Sequence, residues 1–562
     1  MNSQTTTTIA ALAAAGVLSL ASGSGRGADA PEGKRLFTER CAICHSAEPA
    51  DGGGAQGPSL IGVFGRAAAS TSFPYSEALK DSHLKWDEAT LDRFLNAPAT
   101  MVPGTSMVVA VPKNNERADI IAYFKSVAAV KTVAVAAVSP ATSSSADWHL
   151  DAPGKLHRID LAKLPPPFAT PSSNNRTSVK SRPAGAQLKV PAGFHVEPFA
   201  NGFEGPRRML LAANGDVLLT ETYGGRVTIL HPSAARDKAE RAESFAAGLK
   251  QPFGLAFYPN AQNPEWLYVG ETDEVVRFRY HTGDTHANAA GEVVVRNIPS
   301  GGHFTRDVAF SPDGKQLFVS VGSASNVAES MKKKSVAEAQ AWDKAHGFGA
   351  AWGNETNRAD VLVFDAAHPG EPSVYASGIR NCVSLTVQPA NGALWCTTNE
   401  RDALGDDLVP DYSTRVHAGD FYGWPWYYMG SHEDPRLKGE RPDLAGKVHL
   451  PDVPYQAHSA SLSMTFYQTS HGKSAFPEEY AGDAIVTLHG SWNRSLRTGY
   501  KLVRVHMKNG EPTGDYEDFL TGFVIDNDSV WGRPVATVQL DDGSLLMSED
   551  GNNFIYRISF ER

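Results

Sequence analysis

The chain has 562 residues, and its 52 Lys and Arg against 62 Asp and Glu leave a net charge of −10, which argues against a nucleic-acid partner. A hydrophobic content of 41% over this length excludes wholesale disorder and points to more than one core. Four cysteines are too few for a disulfide scaffold, while 51 Gly and 35 Pro lean towards turn-rich β-structure.

Ile9 to Ala21 form a short apolar run, followed by Ala28-Asp29-Ala30, an A-x-A site. Residues 1–30 therefore read as a signal peptide, and the mature protein as periplasmic or secreted. No Lys or Arg precedes Arg26, so the n-region carries only its α-amino charge. The run is shorter than the ~20 residues of a bilayer span, and no later segment is a transmembrane candidate.

Cys41-Ala42-Ile43-Cys44-His45 is C-x-x-C-H, the attachment signature of c-type haem. The spacing sets Cys41 and Cys44 on one side of the macrocycle, with His45 beneath the iron. A zinc or thioredoxin-like reading lacks its second ligand pair or its βαβ context. Met107 follows a Pro103-Gly104 turn that presents its thioether inward as the sixth ligand; Met101 precedes the turn and competes for the role. His/Met ligation leaves no iron site open and suits electron transfer. Amphipathic patterning predicts helices over 31–38, 88–95 and 115–127.

With Gly57-Pro58-Ser59-Leu60, Phe73-Pro74-Tyr75-Ser76, Trp86 and Glu116 to Tyr123, residues 31–130 resemble class I cytochrome c of the mitochondrial type, a small all-α domain. The resemblance implies that Tyr75 and Trp86 hydrogen-bond a haem propionate and that Pro58 buttresses His45. Phe94 and Leu79 stand where the family has polar residues near the Met side.

Residues 131–180 turn to Ala, Pro, Ser and Thr, including Pro165-Pro166-Pro167, and read as a linker with stiff portions. Trp148 to Phe168 hold enough apolar residues to pack along a neighbour. A tether keeps the haem at high effective concentration beside the C-terminal region.

From 181 to 562 a loose unit recurs six times, an apolar strand, a Gly turn and a second strand. Asn214-Gly215, Asp313-Gly314, Asn391-Gly392 and Asp542-Gly543 are its strongest hairpin turns. Six such units predict an all-β six-bladed propeller, with Phe194 to Phe199 closing the ring on the last blade; a β-sandwich fits six similar units less well. Polar groups cluster at strand ends that face one mouth: Gly302 to Asp307, Gly378 to Asn381, Asn399 to Asp402, Ala457 to Ala460, Leu488 to Arg494 and Trp531 to Pro534. Any one of them also serves to staple blades. Arg, His and Asn converging from several blades instead form a pocket for a polyanion.

Pro252-Phe253-Gly254, Asn399-Glu400-Arg401-Asp402, Phe421-Tyr422-Gly423-Trp424-Pro425 and His489 to Arg494 strongly resemble the pyrroloquinoline-quinone (PQQ)-dependent sugar dehydrogenases of the sorbosone/pyranose type, distantly like soluble glucose dehydrogenase. The resemblance implies a general base at His303 and a cation and amide over the quinone oxygens at Arg380 and Asn381. It implies a carboxylate-binding Arg533, cofactor-wall positions at His458, Ser459 and His489, and calcium on the backbone carbonyls of Arg401 and Asp402. Ser323 stands where soluble glucose dehydrogenase has the Asp that orients the base; either Asp307 substitutes for it or the base is less basic.

The expected protein is an exported quinohaemoprotein with haem c, PQQ and calcium. Its propeller oxidises an aldose or sorbosone-like sugar, and the tethered haem passes electrons to a soluble cytochrome, an oxidase or the quinone pool. The rival is a propeller that binds carbohydrate or a partner, or opens lactones, beside an independent cytochrome. Cys382 and Cys396 fall in two strands joined by the Asn391-Gly392 turn; an inter-strand disulfide and two buried thiols are both open.

Overall fold

A computed structural model of the chain describes residues 28–42, 45–48, 57–71, 73, 75–105, 107, 109–128 and 147–561. The leader up to residue 27, Cys44 and linker residues 131–146 lie outside the described residues.

Helices Ala30–Arg40, Glu88–Asn96 and Asn114–Ala128 carry the N-terminal module, with short helices at Glu77–Asp81 and Pro98–Met101. Asp29 caps the first by accepting from the Glu32 N–H, and its own N–H donates to Asp119 of the last helix at 2.7 Å. Cleavage after Ala30 would fall inside that helix and remove its cap. The Phe37 ring meets Tyr123 and Phe124 at 5.5 and 5.8 Å, which locks the first helix on the last. Buried Arg117 donates to Asp92, Asn96 and the carbonyls of Val111 and Pro112, tying down the chain just beyond Met107.

The remainder is a six-bladed propeller of antiparallel sheets whose first strands are Pro206–Leu211, Leu255–Tyr258, Val308–Phe310, Cys382–Val387, Ser461–Phe466 and Pro534–Gln539. Phe194–Asn201 pairs with Phe554–Phe560, so the strand that opens the domain completes its last blade, as the sequence predicts. The hairpin glycines Gly215, Gly314, Gly392 and Gly543 take φ of 87°, 69°, 74° and 85°, a region that favours glycine. Second strands such as Val217–Glu221 are buried on both faces between neighbouring blades. Their hydroxyls reach across: Thr220 donates to the Phe253 carbonyl at 3.0 Å, Thr487 to Val535 at 2.7 Å and Ser548 to Arg207 at 2.7 Å. Cys382 and Cys396 form a disulfide between adjacent strands of the fourth blade.

From residue 147 the expected linker lies along the propeller. Leu156–His157 adds a fifth strand to the fifth blade, and Ser178–Val179 pairs in parallel with Ser529–Val530. Buried Asp518 accepts from His157 at 2.9 Å and from Lys501 at 2.7 Å, and Lys501 also meets Asp151 at 2.8 Å. Two carboxylates around one buried ammonium fix this strap. Further on, the Asn175 N–H donates to the Trp492 carbonyl at 2.7 Å and Arg497 donates to the Arg176 carbonyl at 2.7 Å, so the strap crosses the propeller's mouth. No helix among the described residues is long and apolar enough to cross a membrane.

Candidate functional site

Two cavities meet where the small module sits against the propeller. The first, about 140 Å³, is a crevice lined by Cys41, His45, Tyr75, Trp86, Phe94 and Met107. His45 Nδ1 lies 2.8 Å from the Pro58 carbonyl, which only accepts, so Nδ1 carries the proton and the Nε2 lone pair is free. Burial lowers its pKa to about 4, against the Pro58 bond and with help from Arg176, so the imidazole is neutral. A Cβ at Gly57 would come within 2.4 Å of the His45 ring; only glycine lets the chain pass so close. Met101 packs in the surrounding core, whereas Met107 lines the crevice. Tyr75 shares a 2.6 Å hydrogen bond with Thr71, and Trp86 packs on Phe94 with ring centres 4.9 Å apart. An apolar crevice with a neutral imidazole and a thioether fits haem.

The second cavity, about 310 Å³, opens at the propeller's mouth. His303, Arg380, Asn381, His458, His489 and Arg533, expected from six separate positions in the sequence, all line it, with Asp402. Ser459 is buried without lining it, and its hydroxyl has no hydrogen-bond partner.

His303 Nδ1 lies 2.9 Å from the Ser323 carbonyl and 3.1 Å from the Ser323 hydroxyl, which itself donates to Ser325. The Ser323 backbone therefore orients this ring. Asp307 does not substitute: its carboxylate accepts from the Leu385 and Val308 N–H groups and pairs with Arg208, stapling blades together. Burial, then the Arg380 charge, hold the His303 imidazole well below its ordinary pKa, so it stands neutral with Nε2 unprotonated. A Cβ at Gly322 would lie 2.6 Å from His303 Cβ and 2.3 Å from Asn381 Oδ1.

Arg380 Nε donates to the Asn326 carbonyl, Nη1 to the Asn399 and Glu400 carbonyls, and Nη2 to Asn326 Oδ1 and Asp402. All five of its N–H groups thus meet protein acceptors, so it faces the cavity as a fixed charge rather than as a donor. Across the cavity Asp550 gathers Arg533 Nε at 2.9 Å, His489 Nε2 at 2.9 Å and Arg207 Nη1. Burial opposes the Asp550 charge, yet Arg533, His489 and Arg207 hold its carboxyl far below the usual range. Burial likewise pushes His458 down, but the Asp402 carboxylate more than restores it. Burial raises Glu400 and Asp411, also on the wall, to about 7 and about 6.

Sequence reasoning missed Arg207, Asp550 and Arg176, all on this wall. A signal for Arg207 existed: an Arg lies within two residues of the start of the first strand in four blades, at Arg207, Arg306, Arg380 and Arg533. Guanidinium groups from several blades around one cavity suit the three carboxylates of PQQ, and the unpartnered Oδ1 of Asn381 and of Asn399 marks polar surface without a protein partner. The expected calcium pair fits less well. The Asp402 carbonyl already accepts from Asn326 Nδ2 at 3.1 Å and Arg401 Nη1 at 2.8 Å, which occupies both of its lone pairs. Among the described residues no group of three or more His, Cys, Asp or Glu is placed to hold a metal.

The family model described as TrAA12-like matches residues 188–419 and 443–559, and the cytochrome c model matches residues 30–128. An uncharacterized protein of Borreliella burgdorferi is 26% identical over 393 residues, 67% of this chain and 91% of that protein. Cytochrome c of Chlamydomonas reinhardtii is 44% identical over 99 residues, 17% of this chain and 88% of its own length. In structure, the Trichoderma reesei family AA12 enzyme superposes at TM-score 0.54 with 18% identity, covering 69% of this chain and all of that one. The PQQ domain of Coprinopsis cinerea pyranose dehydrogenase does so at 0.54 with 20% identity, covering 68% and 98%. At these identities the superpositions establish the propeller fold.

Proposed function

The chain belongs to the TrAA12-like family, with a cytochrome c module fused ahead of it, and from that premise we propose a PQQ-dependent sugar dehydrogenase whose electrons leave through the haem. One observation carries the reading: an unprotonated His303 Nε2 shares a cavity with guanidinium groups from three blades, and that cavity adjoins the haem crevice.

When bound, PQQ supplies an ortho-quinone that takes up the two electrons released at the sugar's C1. Arg207 and Arg533, held in place by Asp550, would bind its carboxylates. Arg380 sets a positive charge where negative charge develops, and its five anchors keep it from reorganising. His303 Nε2 accepts the proton of the anomeric hydroxyl. A depressed pKa keeps that base proton-free before the sugar arrives. No step runs through calcium, because the Asp402 carbonyl is already occupied. Export to an oxidising compartment is part of the proposal, supported by the haem-attachment motif and by the Cys382–Cys396 bridge.

The test is to add PQQ to the haem-loaded protein and assay an aldose and sorbosone panel with a dye acceptor. Sugar-dependent dye reduction that requires PQQ supports the reading. Sugar or lactone binding without PQQ-dependent oxidation would instead favour the rival.

A further inference from the structure

Each cavity is closed by residues of both modules. The haem crevice takes part of its wall from the propeller, at Tyr223, Gln251, Thr272, Gly301, Gly302 and Phe304. The propeller cavity takes part of its wall from the cytochrome module, at Gly57, Pro58 and Phe73. Those three, with Tyr223 and Phe304, line both cavities at once. Two of these shared residues adjoin the chemistry. Pro58 holds His45 by its carbonyl, and Phe304 follows His303 in the chain and is 7% exposed. The strap adds Arg176 to the wall of the propeller cavity.

We propose that the Phe304 ring is the contact across which electrons pass from the propeller cavity to the haem crevice, with the cytochrome module working docked on this seam rather than swinging on its tether. This rests on the function proposed above. Oxidation of the sugar's C1 hydroxyl to a lactone carbonyl breaks its O–H and C1–H bonds: the hydroxyl proton goes to His303 Nε2, the C1 hydrogen leaves with the electron pair to the bound quinone, and both protons pass to solvent as the quinone is re-oxidised. The electrons cross one at a time, each reducing Fe(III) to Fe(II). An external one-electron acceptor re-oxidises the haem twice per sugar. Phe304 lines both cavities, so its ring fills the seam where a smaller side chain would open a through-space gap.

The test compares Phe304→Leu and Phe304→Tyr with the wild type, all loaded with haem and PQQ. Anaerobic stopped-flow follows haem reduction by an aldose, and the same preparations are assayed with a small dye acceptor. In the leucine variant haem reduction should fall about tenfold more than dye reduction, and the tyrosine variant should restore the ratio. Wild-type haem reduction should be first order and indifferent to added viscogen. A readout without PQQ or sugar is hydrogen exchange on the haem-loaded protein: Tyr223→Ala, a change in the propeller, should speed exchange in the cytochrome segment 57–71. An unchanged ratio in Phe304→Leu, a rate that falls in proportion to viscosity, or unaltered exchange in that segment overturns the seam. A wild type that reduces dye but never haem also overturns it, whereas one that reduces neither overturns the function beneath it.

Discussion

His45 in the cytochrome module and His303 in the propeller are built alike. Each is buried, each gives Nδ1–H to a backbone carbonyl, at 2.8 Å to Pro58 and 2.9 Å to Ser323, and each turns a bare Nε2 into a cavity. Each also has a glycine pressed against its side chain, Gly57 for the first and Gly322 for the second. Only the facing wall differs. His45 looks into an apolar crevice towards Met107, where a lone pair can serve iron. His303 looks into a cavity charged by Arg380, where the same lone pair can take a proton that it does not keep. One orienting device can serve a metal ligand or a base according to what lies opposite.

The largest way to break the comparison is His303→Ala. It should lower sugar turnover by about 10²–10⁴-fold while PQQ stays bound, measured by dye-coupled kinetics and quinone titration. The haem spectrum should not change. The counterpart is Met107→Ala, which should abolish the thioether–iron charge-transfer band with haem still attached, while Met101→Leu, a volume-conserving swap, leaves it in place.

Ser323→Asp sharpens the contrast between a carbonyl and a charged orienter. A carboxylate near Nδ1 favours the imidazolium, so the pKa of His303 rises from its depressed value. Because the neutral ring is the active form, the acid limb of kcat/KM should move to higher pH by about 1–3 pH units. Gly57→Ala and Gly322→Ala probe the two glycines together. The added methyl should cost about 1–3 kcal/mol of stability by overpacking in each case, read from denaturant unfolding. The first should also disturb the haem spectrum and the second sugar turnover.

What the sequence disclosed was local. C-x-x-C-H, the Pro103-Gly104 turn and the Gly hairpins are each written in a few consecutive residues, and the six repeats set the blade count. The role of Asp307 was not legible, because its partners Arg208 and Leu385 come from other blades. Nor was the orienter of His303, since a backbone carbonyl has no side-chain signature. Arg207 and Asp550 lie 343 residues apart and meet only once the ring is closed. The strap reads as linker by its Pro and Ser content, yet buried Lys501 and Asp518, hundreds of residues away, decide its course.

Ring closure has a thermodynamic consequence for the ligand. Arg207 belongs to the first blade, whereas Asp550 and Arg533 belong to the last, which is completed by Phe194–Asn201. The wall proposed to bind the quinone's carboxylates therefore spans the joint where the circle is sealed, and a propeller that frays there separates Arg207 from Asp550 and Arg533. By linkage, the ligand must in turn hold the joint shut, adding ~2.7 kcal/mol at a concentration a hundred times its Kd. If PQQ occupies this wall, occupancy and closure are one equilibrium, and the chain without it should open first between its first and last blades.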